Sequence, residues 1–249
     1  MSENGYPVIF KDVSYRIAGK VVLDRLSFQV PAGETLVLLG RSGSGKTTAL
    51  KMVNALLLPS SGDVLVEGKP TTQWDLIRLR RSIGYVIQDT GLFPHFTIER
   101  NVGLVPALEH WPPEKVRGRA RQLLEQVGLD PSEYLARYPR QLSGGQRQRV
   151  GVARALAADP AILLFDEPFG AVDPVTRLEL QNQFLELRRT VGKTSIFVTH
   201  DVREALRIGS RIGLLHSGLL EVLATPAEFV KARTPEALAF LAGLEEPVF

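Results

Sequence analysis

The chain has 249 residues, enough for one or two domains with a buried core, and its 44% hydrophobic and 23% charged residues are ordinary for a globular protein. It contains no cysteine, which excludes disulfides, thiol catalysis and cysteine metal sites. The formal net charge of +3 is a weak argument for nucleic acid, because most arginine clusters are typical of solvated helix faces. No signal-peptide pattern and no apolar run of ~18 residues is found, so we expect a cytoplasmic chain whose membrane role comes through a partner.

Strand patterns dominate the first third of the chain. Apolar and polar residues alternate with period two near the N-terminus, and "TLVLLG" is a continuous apolar strand, typical of a sheet buried on both faces. A glycine-rich loop follows, and residues from about Lys46 to Leu57 are predicted to be helical. The next predicted elements are the strand "VLVEG", the helix "QWDLIRLRRS" and the strand "IGYVIQ", which ends at Gln88.

The pattern changes between Asp89 and about Arg137. "GLFPHFTIERN" is loop-like, and "PPEKVRGRARQLLEQVGLD" is an amphipathic helix with proline at its start and glycine at its end. Beyond this helical insertion, strands and helices alternate again, with a helix at 144–158, the apolar strands "AILLF" and "SIFVT", a hairpin and a short helical tail. We therefore predict an α/β fold with a mainly parallel core sheet, an antiparallel β subdomain and a helical subdomain.

The loop "GRSGSGKTT" is the strongest functional motif. It fits the pattern G-x-x-x-x-G-K-[ST], with a buried strand before it and a helix after it. Its glycines allow backbone N–H groups to wrap around phosphates, Lys46 is expected to reach the β- and γ-phosphates, and the Thr47 hydroxyl is expected to hold Mg²⁺. The predicted ATP-binding residues of this loop are Gly40, Arg41, Ser42, Gly43, Ser44, Gly45, Lys46, Thr47 and Thr48.

Three further strands end in polar residues. "AILLFDEP" puts Asp166 and Glu167 at the carboxyl end of a buried strand, where open α/β sheets bind ligands. We expect Asp166 to bind Mg²⁺ through water and Glu167 to polarise the attacking water as general base. Gln88 is predicted to reach the metal and the water, and His200, after "IFVT", to hydrogen-bond the γ-phosphate. Without the other motifs, Gln88 and His200 would each be interpreted only as a polar residue at the end of a strand.

The stretch "LSGGQ" is surplus to this predicted site. Ser143 and the two glycines after it stand at the start of a predicted helix, whose positive end attracts an anion. Yet the residues already assigned account for NTP hydrolysis without it. A second phosphate-binding signal in the same chain therefore needs a different explanation.

In its order of motifs the chain resembles the nucleotide-binding subunits of ATP-binding cassette (ABC) transporters. The matching pieces are "GRSGSGKTT", Gln88, "LSGGQ", "LLFDE", "AVD" at 171–173 and His200. The resemblance spans nearly the whole chain and implies an ATPase with a P-loop NTPase, RecA-like core. It also implies a single cassette domain over 1–249, divided into a core with the β subdomain (1–88 and 138–215), a helical subdomain (89–137) and a hairpin with a short tail (216–249), without a regulatory domain.

The same resemblance explains the surplus loop, because two cassettes of this family dimerise head to tail. It implies that Ser143, Gly144, Gly145 and Gln146 close over the ATP of the partner, with Asp173 at the dimer seam. Arg147 and Arg149 lie near that seam and would bias it toward anions, but neither is assigned a role there. An aromatic residue usually stacks on adenine in the family; the expected position falls near Ile17, so Tyr15, two residues earlier on the same strand face, is the candidate.

The lead-in "YPRQ" and the stretches "IGYVIQDTGLFPHFTIERNV" and "DEPFGAVDPVTR" resemble importers, and most closely the ATPases of osmoprotectant and other quaternary-amine uptake systems. The resemblance implies ATP and Mg²⁺ as cofactors, and a location at the cytoplasmic face of the membrane. It implies three partners: a second copy, permease subunits that dock near Gln88–Phe96, and a solute-binding protein. Phe93, Pro94 and Phe96 would receive the permease helix, or else pack locally. An importer of another solute, an exporter and a soluble ABC ATPase remain the alternatives.

Overall fold

The computed structural model describes residues 5–88, 90–170 and 172–245. Its strands are, in chain order, β1 (Val8–Ile17), β2 (Lys20–Val30), β3 (Thr35–Leu39), β4 (Ser61–Val66), β5 (Lys69–Pro70), β6 (Ile83–Val86), β7 (Ile162–Asp166), β8 (Thr194–Thr199), β9 (Arg211–His216) and β10 (Leu219–Ala224). Its helices are α1 (Lys46–Val53), α2 (Leu76–Ser82), α3 (Ile98–Val102), α4 (Leu104–Leu108), α5 (Pro113–Gln126), α6 (Pro131–Tyr134), α7 (Gly144–Leu156), α8 (Pro174–Val191), α9 (Val202–Ile208), α10 (Pro226–Phe229) and α11 (Pro235–Glu245).

The chain divides into two compact units, Met1–Arg80 with Lys193–Phe249, and Arg81–Gly192. The first unit contains an antiparallel sheet in the order β2, β1, β4, β5. It also contains β10, β9, β3 and β8 side by side, with β3 parallel to both of its neighbours and β10 antiparallel to β9. The predicted α/β class, with a mainly parallel core sheet and a separate antiparallel sheet, is confirmed.

Strands β3 and β8 of the first unit have apolar centres, "LVLL" and "IFV". Every residue of β3 and of β8 is buried, as expected for a parallel strand that is covered on both faces. β9 and β10 form the hairpin predicted from "RIGLLHSGLLEVLAT", which begins at Arg211. The three-part domain division made from the sequence stays a prediction.

The second unit carries β6 and β7 as a parallel pair together with most of the helices. All of β7 is buried, and α7 packs on β6 and on α5. The amphipathic helix predicted from "PPEKVRGRARQLLEQVGLD" is α5, with proline at its first turn and its buried side chains, including Leu123 and Leu124, on one face. The helical insertion of the sequence pattern is therefore present in this unit.

The helix predicted from Lys46 to Leu57 is shorter in the structure. α1 ends at Val53, Ala55 has φ +50°, and the Arg80 guanidinium donates hydrogen bonds to the carbonyl oxygens of Asn54 and Ala55 at 3.3 and 2.8 Å. A long cationic side chain thus satisfies carbonyls that would otherwise continue the helix. This contact between distant residues is not visible in local sequence.

Two predictions in the region after α2 were wrong in their bounds. β6 ends at Val86, so Gln88 lies in a turn two residues beyond the strand. The stretch predicted as a loop contains α3, which Thr97 caps by accepting a hydrogen bond from the Arg100 N–H. Helix α7 also stops at Leu156, two residues earlier than predicted.

Among the described residues, no helix has both the length and the apolar character needed to cross a membrane.

Candidate active site

The glycine-rich loop of the first unit leaves β3 and is tightly seated. A Cβ on Gly40 would lie 2.3 Å from the Leu215 carbonyl oxygen and 2.6 Å from Ser44 Oγ. Gly45 has φ +102°, and a Cβ there would lie 2.6 Å from Leu23 Cδ2. Because no side chain fits at these two positions, the backbone itself forms the inner surface of the loop. Such a surface of N–H groups suits phosphate oxygens.

Lys46 projects into this loop. It is only 4% exposed, and its ammonium donates to the carbonyl oxygens of Gly40 at 2.8 Å and Arg41 at 2.9 Å. The half-buried Thr47 and Thr48 follow in the first turn of α1, whose positive end is directed at the loop. The loop therefore brings together a buried cation, hydroxyl groups and backbone donors, the donor set that a nucleotide phosphate requires.

His200 lies at the same sheet edge as the loop. In the parallel register of β3 and β8, Leu39 pairs with Thr199, so Gly40 and His200 follow side by side. The position is fixed locally, because buried Thr199 donates to Glu204 at 2.6 Å and accepts from the Asp201 N–H at 3.0 Å. His200 itself is exposed, as a group that meets a ligand must be.

Tyr15 is half-buried on β1 and pairs with Leu23 of β2. Leu23 is the residue that packs beneath Gly45, so Tyr15 lies one strand away from the phosphate loop. Ile17, at the position where an aromatic residue is usual, is 57% exposed. Stacking of Tyr15 on adenine stays a prediction.

In the second unit, β7 carries the carboxylates. Asp166 is the last residue of the strand and is 8% exposed, and it accepts a hydrogen bond of 3.2 Å from the Tyr85 hydroxyl of β6. Burial, and then the Asp166 charge, raise the pKa of the Tyr85 phenol above its usual range, so it stays protonated and donates to the carboxylate. Tyr85 was missed in the sequence because a tyrosine inside an apolar strand gives no functional signal.

Glu167 begins a turn with φ +45°, and its carbonyl accepts from the Gly170 N–H at 3.1 Å. A non-glycine residue in this conformation is strained, a feature that clusters at functional sites. Val86 of β6 pairs with Phe165 of β7, so Gln88 and Glu167 each follow the end of one of two paired strands. Both side chains converge on Gly170, whose added Cβ would lie 3.7 Å from Gln88 Nε2 and 3.9 Å from Glu167 Oε2. The second unit thus brings the predicted base and the predicted water-binding amide together.

The surplus loop forms the N-terminus of α7. Ser143 and Gly144 are exposed, and nothing lies within 4 Å of a Cβ added to Gly144. Ser143 Oγ accepts the Gln146 N–H at 3.2 Å, while Gln146 Oε1 accepts the Ser143 N–H at 2.9 Å. This capping box fixes an open helix N-terminus in a unit that lacks the glycine-rich loop. Gly145 is buried against Thr176, and its role in ligand binding stays a prediction, as does that of Gln146.

The side chains of the two arginines after this loop contact residues of their own unit. Arg147 donates to the Leu142 carbonyl at 2.6 Å, and Arg149 lies 3.3 Å from the Glu179 carboxylate. Arg149 also contacts the Val127 carbonyl. These contacts hold α7 within its own unit, and an influence of the two arginines on a dimer seam stays a prediction.

Asp173 caps α8 by accepting the N–H groups of Val175 at 3.2 Å and Thr176 at 3.0 Å. Hydrogen bonds from Thr176, backbone first, lower the pKa of the Asp173 carboxyl, so it stays ionised. Asp173 is exposed, and its place at a dimer seam stays a prediction. The preceding Ala171 lies outside the described residues.

The segment predicted to receive a permease helix is held by a buried amide. Asn101 is fully buried; its Oδ1 accepts the Phe93 N–H at 2.8 Å, and its Nδ2 donates to the carbonyls of Phe93, Phe96 and Thr97. Phe93 is 40% exposed, and its ring lies 5.2 Å from that of the half-buried Phe96. Pro94 is exposed too, and Asp89, at the start of the segment, lies outside the described residues. The backbone of this turn is thus fixed while an aromatic surface stays open.

Replacement of Asn101 with alanine is expected to destabilise the protein by roughly 2–3 kcal/mol, because it removes every bond that this fully buried amide makes to the Phe93 N–H and to three carbonyls. Thermal or urea unfolding measures the change. The control is Gln126→Ala, an exposed amide on α5, which is expected to change stability by less than about 0.5 kcal/mol. Equal losses in the two variants would contradict the role given to Asn101.

Comparison with known proteins gives a consistent result. The model of the ABC transporter family matches residues 23–170. The chain is 49% identical over 221 residues to the osmoprotectant import ATP-binding protein OsmV of Salmonella typhimurium, covering 89% of this chain and 58% of that protein. It is 48% identical over 227 residues to the glycine betaine/carnitine/choline transport ATP-binding protein OpuCA of Bacillus subtilis, covering 91% and 60%. The chain thus spans about three fifths of the length of these relatives, and the resemblance drawn from the motifs is confirmed.

Solved structures agree with this match. The ATP-binding cassette MJ0796, in a dimeric post-hydrolysis state with ADP and Pi, superposes with a TM-score of 0.78 at 34% identity, covering 88% of this chain and 98% of that one. The cbiO1 protein of Clostridium perfringens, part of the ABC transporter complex cbiONQ, superposes with a TM-score of 0.83 at 26% identity, covering 98% and 97%. The fold is therefore that of an ABC cassette.

Proposed function

Because the chain belongs to the ABC transporter family, we propose that it is the ATP-hydrolysing subunit of an importer for osmoprotectants of the quaternary-amine class, such as glycine betaine, carnitine or choline. The observation that carries the proposal is the agreement among its relatives, since those 46–49% identical over most of this chain are named as ATP-binding proteins of such uptake systems. The solute does not contact this subunit, so its class is inherited from the relatives alone.

The reaction is attack of water on the γ-phosphate of ATP, driven by positioning and charge stabilisation. In the proposed assignment, Lys46 and the backbone of its loop bind the phosphates, and His200 at the neighbouring strand end hydrogen-bonds the γ-phosphate. Glu167 accepts the proton of the attacking water, which the Gln88 amide orients.

Thr47, Gln88 and Asp166 are the residues proposed to hold Mg²⁺, which would neutralise charge on the phosphates. Their oxygen donors suit this ion. Among the described residues, no group of three or more histidine, cysteine, aspartate or glutamate side chains is placed to hold a metal ion.

A second copy of the chain is the proposed partner at the signature loop (residues 143–146). The exposed N-terminus of α7 would bind the γ-phosphate of ATP held by the other copy, so that ATP joins the two copies. The aromatic segment around Phe93 and Phe96 is the proposed docking surface for permease subunits, which would place the chain peripherally at the cytoplasmic face of the membrane. A solute-binding protein would act through the permease.

The proposal is tested by sequencing the genes next to that of the chain and co-expressing the chain with any permease and solute-binding subunits found there. We expect a complex that hydrolyses ATP and takes up radiolabelled glycine betaine or choline into proteoliposomes. Uptake of a different solute would contradict the substrate class. Purification of the chain only in soluble complexes with ribosomes or DNA would contradict the importer function itself.

A further inference from the structure

A carboxylate of the C-terminal helix lies against the phosphate loop. Glu236 stands in the first turn of α11, and its side chain is 8% exposed. Its Oε1 accepts from Arg41 Nε at 2.7 Å, and its Oε2 lies 3.3 Å from His216 Nδ1, at the end of β9. Both carboxylate oxygens are therefore engaged, one of them by the second residue of the loop.

Arg41 connects this carboxylate to the centre of the loop. Its carbonyl oxygen accepts from the Lys46 ammonium at 2.9 Å and from the Ser44 N–H at 3.2 Å. Its side chain, 68% exposed, extends in the other direction to Glu236. The same residue thus sets the position of two predicted phosphate donors and is attached to a helix 195 residues away in the sequence.

The helix that carries Glu236 is itself anchored. The hydroxyl of Thr234 accepts from the N–H of Ala237, which is fully buried, at 3.2 Å. Helix α11 packs on α9, and Arg203 of α9 donates to the Gly243 carbonyl at 3.4 Å. The backbone that carries Glu236 is therefore fixed by packing and hydrogen bonds, so the carboxylate can hold the Arg41 side chain in one position.

By charge alone, a carboxylate beside a phosphate loop weakens the binding of an anion. Its presence here needs a compensating effect, and the contacts provide one. We propose that Glu236 is a positioning residue for ATP: through Arg41 it holds the loop in its phosphate-binding shape before the nucleotide arrives. Preorganisation of this kind raises affinity because less ordering is needed on binding. The inference rests on the proposed binding of ATP at this loop.

The direction in which the Kd for ATP changes when the Glu236 charge is removed tests the proposal. In Glu236→Gln, charge alone predicts tighter ATP binding, whereas the loss of the ion pair with Arg41 predicts a Kd for ATP that is about three- to fivefold higher. The KM for ATP should rise by the same factor while kcat stays unchanged, because saturating ATP orders the loop. Isothermal titration of ATP and steady-state turnover measure the two quantities.

The matched control is Glu221→Gln. The Glu221 carboxylate lies 3.4 Å from the same His216 Nδ1, whereas the ion pair described for Arg41 is with Glu236, so removal of the Glu221 charge should leave the Kd unchanged or slightly lower. A second variant, Arg41→Lys, keeps the charge of the loop and alters only an exposed side chain, and it should also raise the Kd about twofold or more. It replaces Glu236→Gln as the test if that variant does not fold.

Tighter or unchanged ATP binding in Glu236→Gln would overturn the proposal, as would an equal loss of affinity in Glu221→Gln. Failure of the unmodified chain to bind ATP would instead overturn the proposed function, and the inference with it. ATP titration of the unmodified chain therefore distinguishes failure of the proposed function from failure of the positioning role of Glu236.

Discussion

Replacement of Glu167 with glutamine is expected to lower ATP turnover by about a thousandfold while ATP still binds. The amide has the size of the carboxylate, so the strained turn at φ +45° and its hydrogen bond to Gly170 are retained. What is lost is the group that accepts a proton from water. Since ATP is then bound but not cleaved, the variant should accumulate as an ATP-bound dimer, which size-exclusion chromatography with light scattering detects.

The control for this variant is Glu186→Gln, an exposed carboxylate on α8, which should turn over ATP normally and show no ATP-dependent dimer. Normal turnover in Glu167→Gln would contradict the assignment of Glu167 as general base. A variant that binds ATP without turnover, yet stays monomeric at high protein concentration, would contradict the shared site.

Replacement of Ser143 with arginine is expected to lower hydrolysis at least a hundredfold while each chain still binds ATP through its own glycine-rich loop. Ser143 is exposed beside the open space at Gly144, so the larger side chain would occupy the surface where the partner's phosphate is proposed to lie. Loss of the helix cap costs only about 1 kcal/mol, so the fold should persist. Turnover and ATP titration on the same sample separate the two effects.

Ser143→Ala is the matched control, because it removes the cap and the hydroxyl without adding bulk. Its turnover should fall less than that of the arginine variant. If Ser143→Arg also abolished ATP binding in a folded chain, the signature loop would serve the nucleotide of its own chain, and the dimeric explanation would be wrong.

Those parts of the site that are determined by residues close together in the chain could be predicted from the sequence. The central residues of β3, β7 and β8 are apolar because both faces of these strands are buried, and the same burial makes their polar ends conspicuous. The start of α7 was predictable as well, since the residues of its capping box are three positions apart.

Other features depend on contacts between distant residues, and the sequence pattern could not reveal them. α3 begins where the N–H groups of Ile98 and Glu99 donate to the carbonyls of Arg137 and Leu135, and the buried Asn101 holds the turn before it. Tyr85 gains its importance only from Asp166 on the neighbouring strand. For the same reason an arginine at position 41 gave no sign of a glutamate partner in the last helix.

The most direct test of the shared nucleotide site uses the absence of cysteine in the chain. Ser42→Cys in the phosphate loop and Ser143→Cys in the signature loop are made in separate chains of the Glu167→Gln form, mixed, and oxidised with and without ATP. We predict a covalent dimer that forms only in the mixture and only with ATP, because the two loops enclose one nucleotide from two chains. In a chain that carries both cysteines, an ATP-dependent cross-link within the monomer, with no covalent dimer in the mixture, would contradict the account.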